Sequence, residues 1–197
     1  MSRIIRLARE TDAREIVEIY APFCSETPVS FETEAPTVSE MRRRIARTLK
    51  SYPWLVCEEG EVILGYAYAS QHRERAAYRW STDVSVYIRE RHRQSGLGRA
   101  LYTSLLALLR LQGFKSALAG ATLPNPGSVA LHEGMGFEPV GTYRKIGFKC
   151  GKWHDVRWWQ LRLADSEADP REPLDMQQAS SLAGWEAALA AGSALLR

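Results

Sequence analysis

Residues 81–113 constrain this chain more than any other stretch, because a strand, a basic glycine turn and a long helix follow one another there without slack. In STDVSVYIRE, Val84, Val86 and Ile88 alternate with Asp83, Ser85 and Tyr87, the period of a β-strand, so Asp83 lies on the face opposite the valines. The next segment, RHRQSGLGRA, carries Arg91, Arg93 and Arg99 with two glycines and no acid. From Leu97 to Leu111 the residues Leu101, Leu105, Leu108 and Leu109 recur at helical spacing, and Gly113 supplies a stop.

The flanking segments extend this unit into a mixed α/β domain. Ile4 to Ala8 reads as a strand, and the following helix has a stripe of Ile16, Ile19 and Tyr20, with Asp12 as its cap and Glu15 three residues on. Thr37 and Glu40 have the same capping spacing at the start of a second helix. The turn-rich connection between them, CSETPVSFETEAP, carries Phe31 and has the character of a loop that covers a site. WLVCEE, a turn at Gly60 and VILGYAYAS form a hairpin, and FKSALAGAT is a further strand. LPNPGSVALHEGMGF is a turn and short helix ending at Gly134 or Gly136, and EPVGTYRKIGFK and WHDVRWWQLRL close as two antiparallel strands.

The order β-α-α-β-β-β-α-β-α-β-β places one domain over residues 1–163. Residues 164–197 read as an acidic, proline-bearing linker and an amphipathic helix whose Leu182, Trp185, Leu189 and Leu196 share a face. That face packs either on its own domain or on a second subunit. Trp80, Trp153, Trp158, Trp159 and Tyr143 read as packing residues rather than recognition residues.

Composition removes several classes of function. The net charge of +3 comes from 26 basic and 23 acidic residues, so no global field marks a nucleic-acid or membrane-surface protein. The basic residues also lack interleaved aromatics or a groove-entering helix motif. Three cysteines, Cys24, Cys57 and Cys150, without CxxC spacing fit buried thiols in a reducing compartment. With neither an apolar leader nor a long apolar run, the expectation is a cytoplasmic protein that needs no membrane, nucleic acid or metal.

The charge pattern is local instead. The 42 positions between Glu90 and Glu133 hold no carboxylate, while Arg91, Arg93, Arg99, Arg110 and Lys115 fall inside them. A large anion is the simplest cause, since a nearby acid would repel it about as strongly as an arginine attracts it. Glycines at 96 and 98 let a ligand approach the backbone, and the first amides of the helix point outward unpaired, which is a phosphate site. A P-loop lysine is missing, as are the third glycine and the ribose-binding acid of a dinucleotide site. ATP and NAD are therefore poor candidates. Taken alone, the turn is equally a basic solvated turn whose glycines serve geometry.

Arg93-x-x-Gly96-x-Gly98 between a strand and a helix resembles the acetyl-coenzyme A motif of the GNAT acyltransferase superfamily, and NPGSVALHEGMGF resembles its companion segment. Longer runs, AAYRWSTDVSVYIRERHRQSGLGRALYTSLL and GFKCGKWHDVRWWQL among them, are similar to the phosphinothricin or methionine sulfoximine N-acetyltransferase branch, over about residues 3–163. The resemblance implies an α/β GNAT fold: a mixed, mostly antiparallel sheet with a splayed central strand pair and helices on both faces. It implies acetyl transfer from acetyl-CoA to a small amine by direct transfer in a ternary complex, and a homodimer. Methionine sulfoximine, methionine sulfone and phosphinothricin lead the acceptors. Another amine, such as a polyamine or a peptide N-terminus, and a CoA-binding module without chemistry are the rivals.

By the same resemblance, Val86, Tyr87 and Ile88 run along the pantetheine arm. The backbone of Arg93, Gln94, Ser95, Gly96, Leu97, Gly98 and Arg99 holds the pyrophosphate, and Asn125 and Ser128 meet the arm or an ordered water. From local signals Asn125 is equally a turn residue before Pro126. The base falls on Asp83, where the family usually carries glutamate. Aspartate is one methylene shorter, and with an ordinary pKa of about 4 it is a weak base unless burial raises it. His132 falls on the second titratable position, able to take a proton from the ammonium or return one to the thiolate. Capping for Asp83 and packing for His132 are their structural alternatives. Arg73, Arg75 and Tyr78 match the acceptor side, where an arginine fork suits a carboxylate, and Phe31 matches an aromatic on the covering loop. A solvated basic loop is the other reading of the arginines.

Overall fold

The computed structural model describes residues 2–165 and 169–196. Its strands are β1 (Arg3–Leu7), β2 (Trp54–Glu59), β3 (Val62–Gln71), β4 (Ser81–Ile88), β5 (Ser116–Leu123), β6 (Glu138–Lys149) and β7 (Lys152–Arg162). The helices are α1 (Ala13–Ser25), α2 (Val38–Thr48), α3 (Leu97–Gln112), α4 (Pro126–Gly134), α5 (Met176–Ser180) and α6 (Trp185–Ala190). The strands form one sheet in the order β1-β2-β3-β4-β5-β7-β6. Every neighbouring pair is antiparallel except β4 and β5.

That parallel pair is short. Ser81, Thr82 and Asp83 stand opposite Ser116, Ala117 and Leu118, and beyond Asp83 the two strands part. On its other edge β4 stays paired with β3 as far as Ile88 opposite Gly65. Residues 84–88 therefore keep one free backbone edge, and the sheet opens there like a fork. The alternation along β4 feeds two cores. Val84, Val86 and Ile88 pack with Leu97, Leu101, Leu105 and Leu108 of α3 on one face. On the other, Tyr87 meets Tyr20 and Phe23 of α1 edge-on at 4.9 and 5.1 Å, within a cluster that also holds Ile16, Met41 and Ile45.

Two local expectations need correction. Asp12 stands at the head of α1, but its carboxylate makes no cap there. It accepts instead from the Arg6 guanidinium at 2.7 and 3.0 Å and from the Arg9 amide at 2.7 Å. A two-point charged bond outweighs a single amide, so the cap is lost to the ion pair. Thr37 does cap α2, accepting from the Glu40 amide at 3.1 Å. The tail is two short helices rather than one. The Ser180 and Ser181 hydroxyls donate back to the carbonyls of Gln177 and Gln178 at 2.9 and 2.7 Å, and the helix stops there. Met176, Ala179 and Trp185 join the α3 core, whereas Leu182 is exposed. Among the described residues no helix is long and apolar enough to cross a membrane.

The aromatic and thiol expectations divide as well. Trp159 is fully buried, but Tyr143 and Trp153 are exposed on the β6–β7 hairpin. Cys24 and Cys57 are buried, whereas Cys150 is exposed in the turn of that hairpin.

Candidate active site

The basic glycine turn has the geometry of an anion cradle. Gln94 and Gly96 both adopt left-handed backbone, with φ of 59° and 83°, and Gly96 heads α3 without any side-chain cap. Ala100 is the first residue of the helix whose amide finds an acceptor, the Gly96 carbonyl at 3.0 Å. Among the described residues, the amides of Leu97, Gly98 and Arg99 are thus the donors left without an acceptor in a 16-residue helix, at its positive end. The buried Leu97 side chain anchors the turn in the core while its backbone faces outward. An added Cβ at Gly98 would stand 3.3 Å from Leu131 Cδ2, so α3 and α4 approach closely at this residue.

A groove of about 460 Å³ runs from this turn along the free edge of β4. Its walls include Val86, Tyr87 and Ile88, then Arg93, Gln94, Gly96, Leu97, Gly98 and Arg99, and finally Asn125 and Ser128. Ser95 is absent from that wall, because its hydroxyl turns back to the His92 carbonyl. Phe23, Val29, His92, Pro126, Gly127 and Leu131 complete it, and none of these was legible as a site residue. Arg93 lies over the Phe23 ring at 5.0 Å, and Arg99 donates to the Gly134 carbonyl at 3.2 Å. Unpaired amides at one end and an exposed strand edge beside an apolar wall fit a diphosphate joined to an amide-bearing arm.

A smaller chamber of about 50 Å³ shares Val29, Val86, Tyr87, Asn125 and Ser128 with the groove and adds Ser85, Tyr102, Gly120 and His132. Asn125 is a turn residue at the head of α4. Its side-chain oxygen caps α4 by accepting from the Ser128 amide at 3.1 Å, and the residue borders both spaces. His132 is 4% exposed and stacks on Tyr102, whose hydroxyl lies 3.3 Å from Nε2. Its Nδ1 has no hydrogen-bond partner among the described residues. Burial alone pushes its pKa down to about 4, so the ring is neutral near pH 7.

Asp83 and His132 have different neighbours. Asp83 occupies the last rung before the fork, on the α1 side of β4 with Ser85 and Tyr87, whereas His132 rests on Tyr102 and Trp159 on the α3 side. The partner of Asp83 is His72, whose Nδ1 lies 2.7 Å from Oδ1. Burial lifts the Asp83 carboxyl above the ordinary carboxylate range, opposed by the His72 hydrogen bond and then by the charges of His72 and Arg73. Sequence reasoning passed over His72. The β3–β4 register pairs Gln71 with Thr82, so His72 is the first residue beyond the last rung and folds back over Asp83.

Two of the residues expected on the acceptor side, Tyr78 and Arg73, lie beside this pair. Tyr78 meets the His72 ring edge-on at 5.8 Å, and Trp158 meets it at 6.1 Å. Arg73 and Arg75 are exposed on the same connection, and the Arg75 carbonyl accepts from the Tyr78 amide at 2.9 Å. Phe31 reaches across from the loop after α1 to Gly147 and His154 of the hairpin. Among the described residues no group of three or more His, Cys, Asp or Glu could hold a metal ion.

A sheet parted beside an uncapped helix N-terminus, with an arm-length groove between them, is the arrangement that the resemblance to the GNAT acyltransferases implied. Residues 5–158 match the acetyltransferase (GNAT) domain, and the chain belongs to that family. It is 42% identical over 167 residues to a phosphinothricin N-acetyltransferase of Streptomyces viridochromogenes, covering 85% of this chain and 91% of that one. A methionine sulfoximine/methionine sulfone acetyltransferase of Salmonella typhimurium is 34% identical over 167 residues, covering 84% and 97%. Among solved structures, a GNAT superfamily phosphinothricin acetyltransferase from Sinorhizobium meliloti in complex with acetyl-CoA superposes with a TM-score of 0.82 at 34% identity, over 87% of this chain and 95% of that one. The protein is an acetyl-CoA-dependent acetyltransferase of GNAT fold.

Proposed function

We propose that the chain transfers acetyl directly from acetyl-CoA to the amine of a small amino-acid analogue, with both substrates bound together. Methionine sulfoximine, methionine sulfone and phosphinothricin are the acceptors of first choice. The observation that carries this reading is the gathering of Arg73 and Tyr78 around a half-buried carboxylate, Asp83, at the root of the fork. Two exposed arginines on the acceptor side favour an acceptor with its own carboxylate, and a polyamine would meet the wrong sign of charge. The names of the relatives agree with this choice.

In this reading the N-terminal amides of α3 hold the pyrophosphate, and the free edge of β4 holds the pantetheine arm. The thioester reaches the chamber, where a backbone amide near Tyr87 or Ile88 polarises its carbonyl. Removal of the ammonium proton depends on Asp83. His132, neutral at working pH, serves as a hydrogen-bonding wall beside Tyr102 where the thiolate departs. The protein works as a cytoplasmic homodimer, and residues 164–197 brace the catalytic domain 1–163. Coenzyme A release should be followed with methionine sulfoximine, methionine sulfone, phosphinothricin, spermidine and short peptides, with each product weighed by mass spectrometry. Turnover of the amino-acid analogues with intersecting initial-rate patterns is expected. Parallel patterns would remove the ternary complex, and turnover of spermidine or peptides alone would remove the acceptor class.

A further inference from the structure

His72 and Asp83 form a hydrogen-bonded pair at the last rung before β4 and β5 part, and the chemistry of that pair differs from that of a lone carboxylate. An ionised carboxylate can only accept, so the 2.7 Å contact between Asp83 Oδ1 and His72 Nδ1 fixes the ring hydrogen on Nδ1 and leaves Nε2 with a free lone pair. The pair is held in place from several sides. Asp83 is fixed in the last paired rung of β4 and β5, and the ring lies edge-on to Tyr78 and to Trp158 of β7. Its side chain remains 12% exposed, so it is packed without being sealed. Trp158 in turn packs over Gly120, where an added Cβ would stand 3.1 Å from the indole, and Gly120 borders the chamber beyond the fork. The Asp83 oxygen is already engaged by the ring, and Nε2 is the basic atom of the pair left open among the described residues, on a side chain that is not sealed.

We infer that His72 takes the proton from the acceptor ammonium and that Asp83 acts through it, fixing the tautomer and steadying the imidazolium. Asp83 is then a positioning residue and His72 the catalytic one. The inference rests on the acetyl-transfer reading of the site. One proton passes from the ammonium to Nε2 and later to solvent. The freed nitrogen lone pair forms the C–N bond at the thioester carbonyl, the C–S bond breaks with its electron pair on sulfur, and the second nitrogen proton ends on the thiolate. The groups that bear on the ring's titration are Asp83 from β4, Tyr78 from the following turn and the Arg73 charge beside it. Tyr52 and, from β3, Tyr68 join them through their electrostatic contacts with Asp83, and Trp158 adds no charge.

The test compares His72→Gln, Asp83→Asn and the double variant on whichever acceptor the wild type turns over, across the pH range. His72→Gln should lower kcat by about a hundredfold or more, with KM for acetyl-CoA held, and should abolish the acidic limb of the rate profile. Asp83→Asn should keep that limb but move it to lower pH, because the imidazolium loses its counter-charge. The double variant should be no slower than His72→Gln, since the two groups act as one unit. Added imidazole should restore part of the rate to His72→Gly. An unchanged rate and profile in His72→Gln, or effects that multiply in the double variant, would overturn the inference. A ring-proton NMR titration of His72, with and without Asp83→Asn, needs no acceptor. If no amine reacts, the substrate reading fails separately, and a His72 titration unmoved by Asp83→Asn overturns the pairing by itself.

Discussion

Lys149 is buried, and its ammonium donates all three of its hydrogens to main-chain carbonyls, at 3.2 Å to Phe23, 2.6 Å to Ser30 and 2.7 Å to Glu32. These bonds tie the end of β6 to the loop that carries Phe31. Lys149→Met keeps the stem's bulk but strands three carbonyls, a cost of about 2 kcal/mol by the usual penalty for unsatisfied buried groups. Urea unfolding should show that loss. The KM for the acceptor should rise several-fold while the KM for acetyl-CoA stays put, and a uniform change in both would deny the loop any particular link to the acceptor. His132 makes a second prediction at this scale. Its folded pKa of about 4 lies below the usual histidine value of about 6.5, so the unfolded chain binds the extra proton first as pH falls. Stability from the neutral ring is complete above about 6.5 and is lost as pH falls to about 4, a total of about 3 kcal/mol. His132→Phe, which keeps the stacking on Tyr102, should flatten unfolding free energy over that window, and a slope equal to the wild type's would assign the acid sensitivity elsewhere.

The element that organises the site is α3, and its N-terminus is where sequence and structure agree most closely. Glycine at 96 is required by a φ of 83°, and glycine at 98 by the approach of Leu131. Gly98→Val should raise the KM for acetyl-CoA at least tenfold with little change in that for the acceptor, because branched bulk at the turn separates α3 from α4 and fills the anion cradle. Initial rates against acetyl-CoA at saturating acceptor measure it, and an unaltered KM would take the pyrophosphate away from this turn. The uncapped glycine turn was legible because its causes are local: two glycines between a strand and a helix. The strand alternation that sets Asp83 opposite Val84 was legible for the same reason. What the sequence concealed depends on which of several nearby partners a side chain takes once the chain is folded. Arg6 draws the Asp12 carboxylate away from the helix it would cap, although capping spacing and ion-pair geometry look alike in one dimension. His72 acquires its meaning only from the register of β3 against β4. The tail's periodicity was read as one helix because nothing in it shows that the Ser180 and Ser181 hydroxyls would rather bond backward.

At the scale of the molecule, the two ends of the sheet have opposite characters. The tail covers α3 closely enough that Gly192 donates to Ser104 Oγ at 2.9 Å, and a Cβ there would collide with the Ala100 carbonyl. With Met176, Ala179 and Trp185 buried in the same core, the tail consumes the apolar surface it would need to hold a second subunit. The opposite end is bare. On β6, the outer strand, and the adjoining part of β7, Val140, Tyr143, Ile146, Phe148 and Trp153 are each more than half exposed, and Phe148 and Trp153 meet edge-on at 5.5 Å. An apolar group of this size on a sheet edge invites either a partner or aggregation. The homodimer proposed above is therefore expected to form through the β6–β7 hairpin. Phe148→Glu with Trp153→Glu places two like charges in that contact while removing nothing from either core, so the variant should sediment as a monomer with an unchanged circular dichroism spectrum. The acceptor KM should rise with it, because Phe31 packs on Gly147 and His154 of the same hairpin. Removal of residues 164–197 should do the reverse, lowering the unfolding midpoint by exposing α3 while leaving the number of subunits the same. Sedimentation of the three proteins at equal concentration separates the two surfaces, and a dimer that survives the double charge but dissociates with the tail would move the interface to the other end of the sheet.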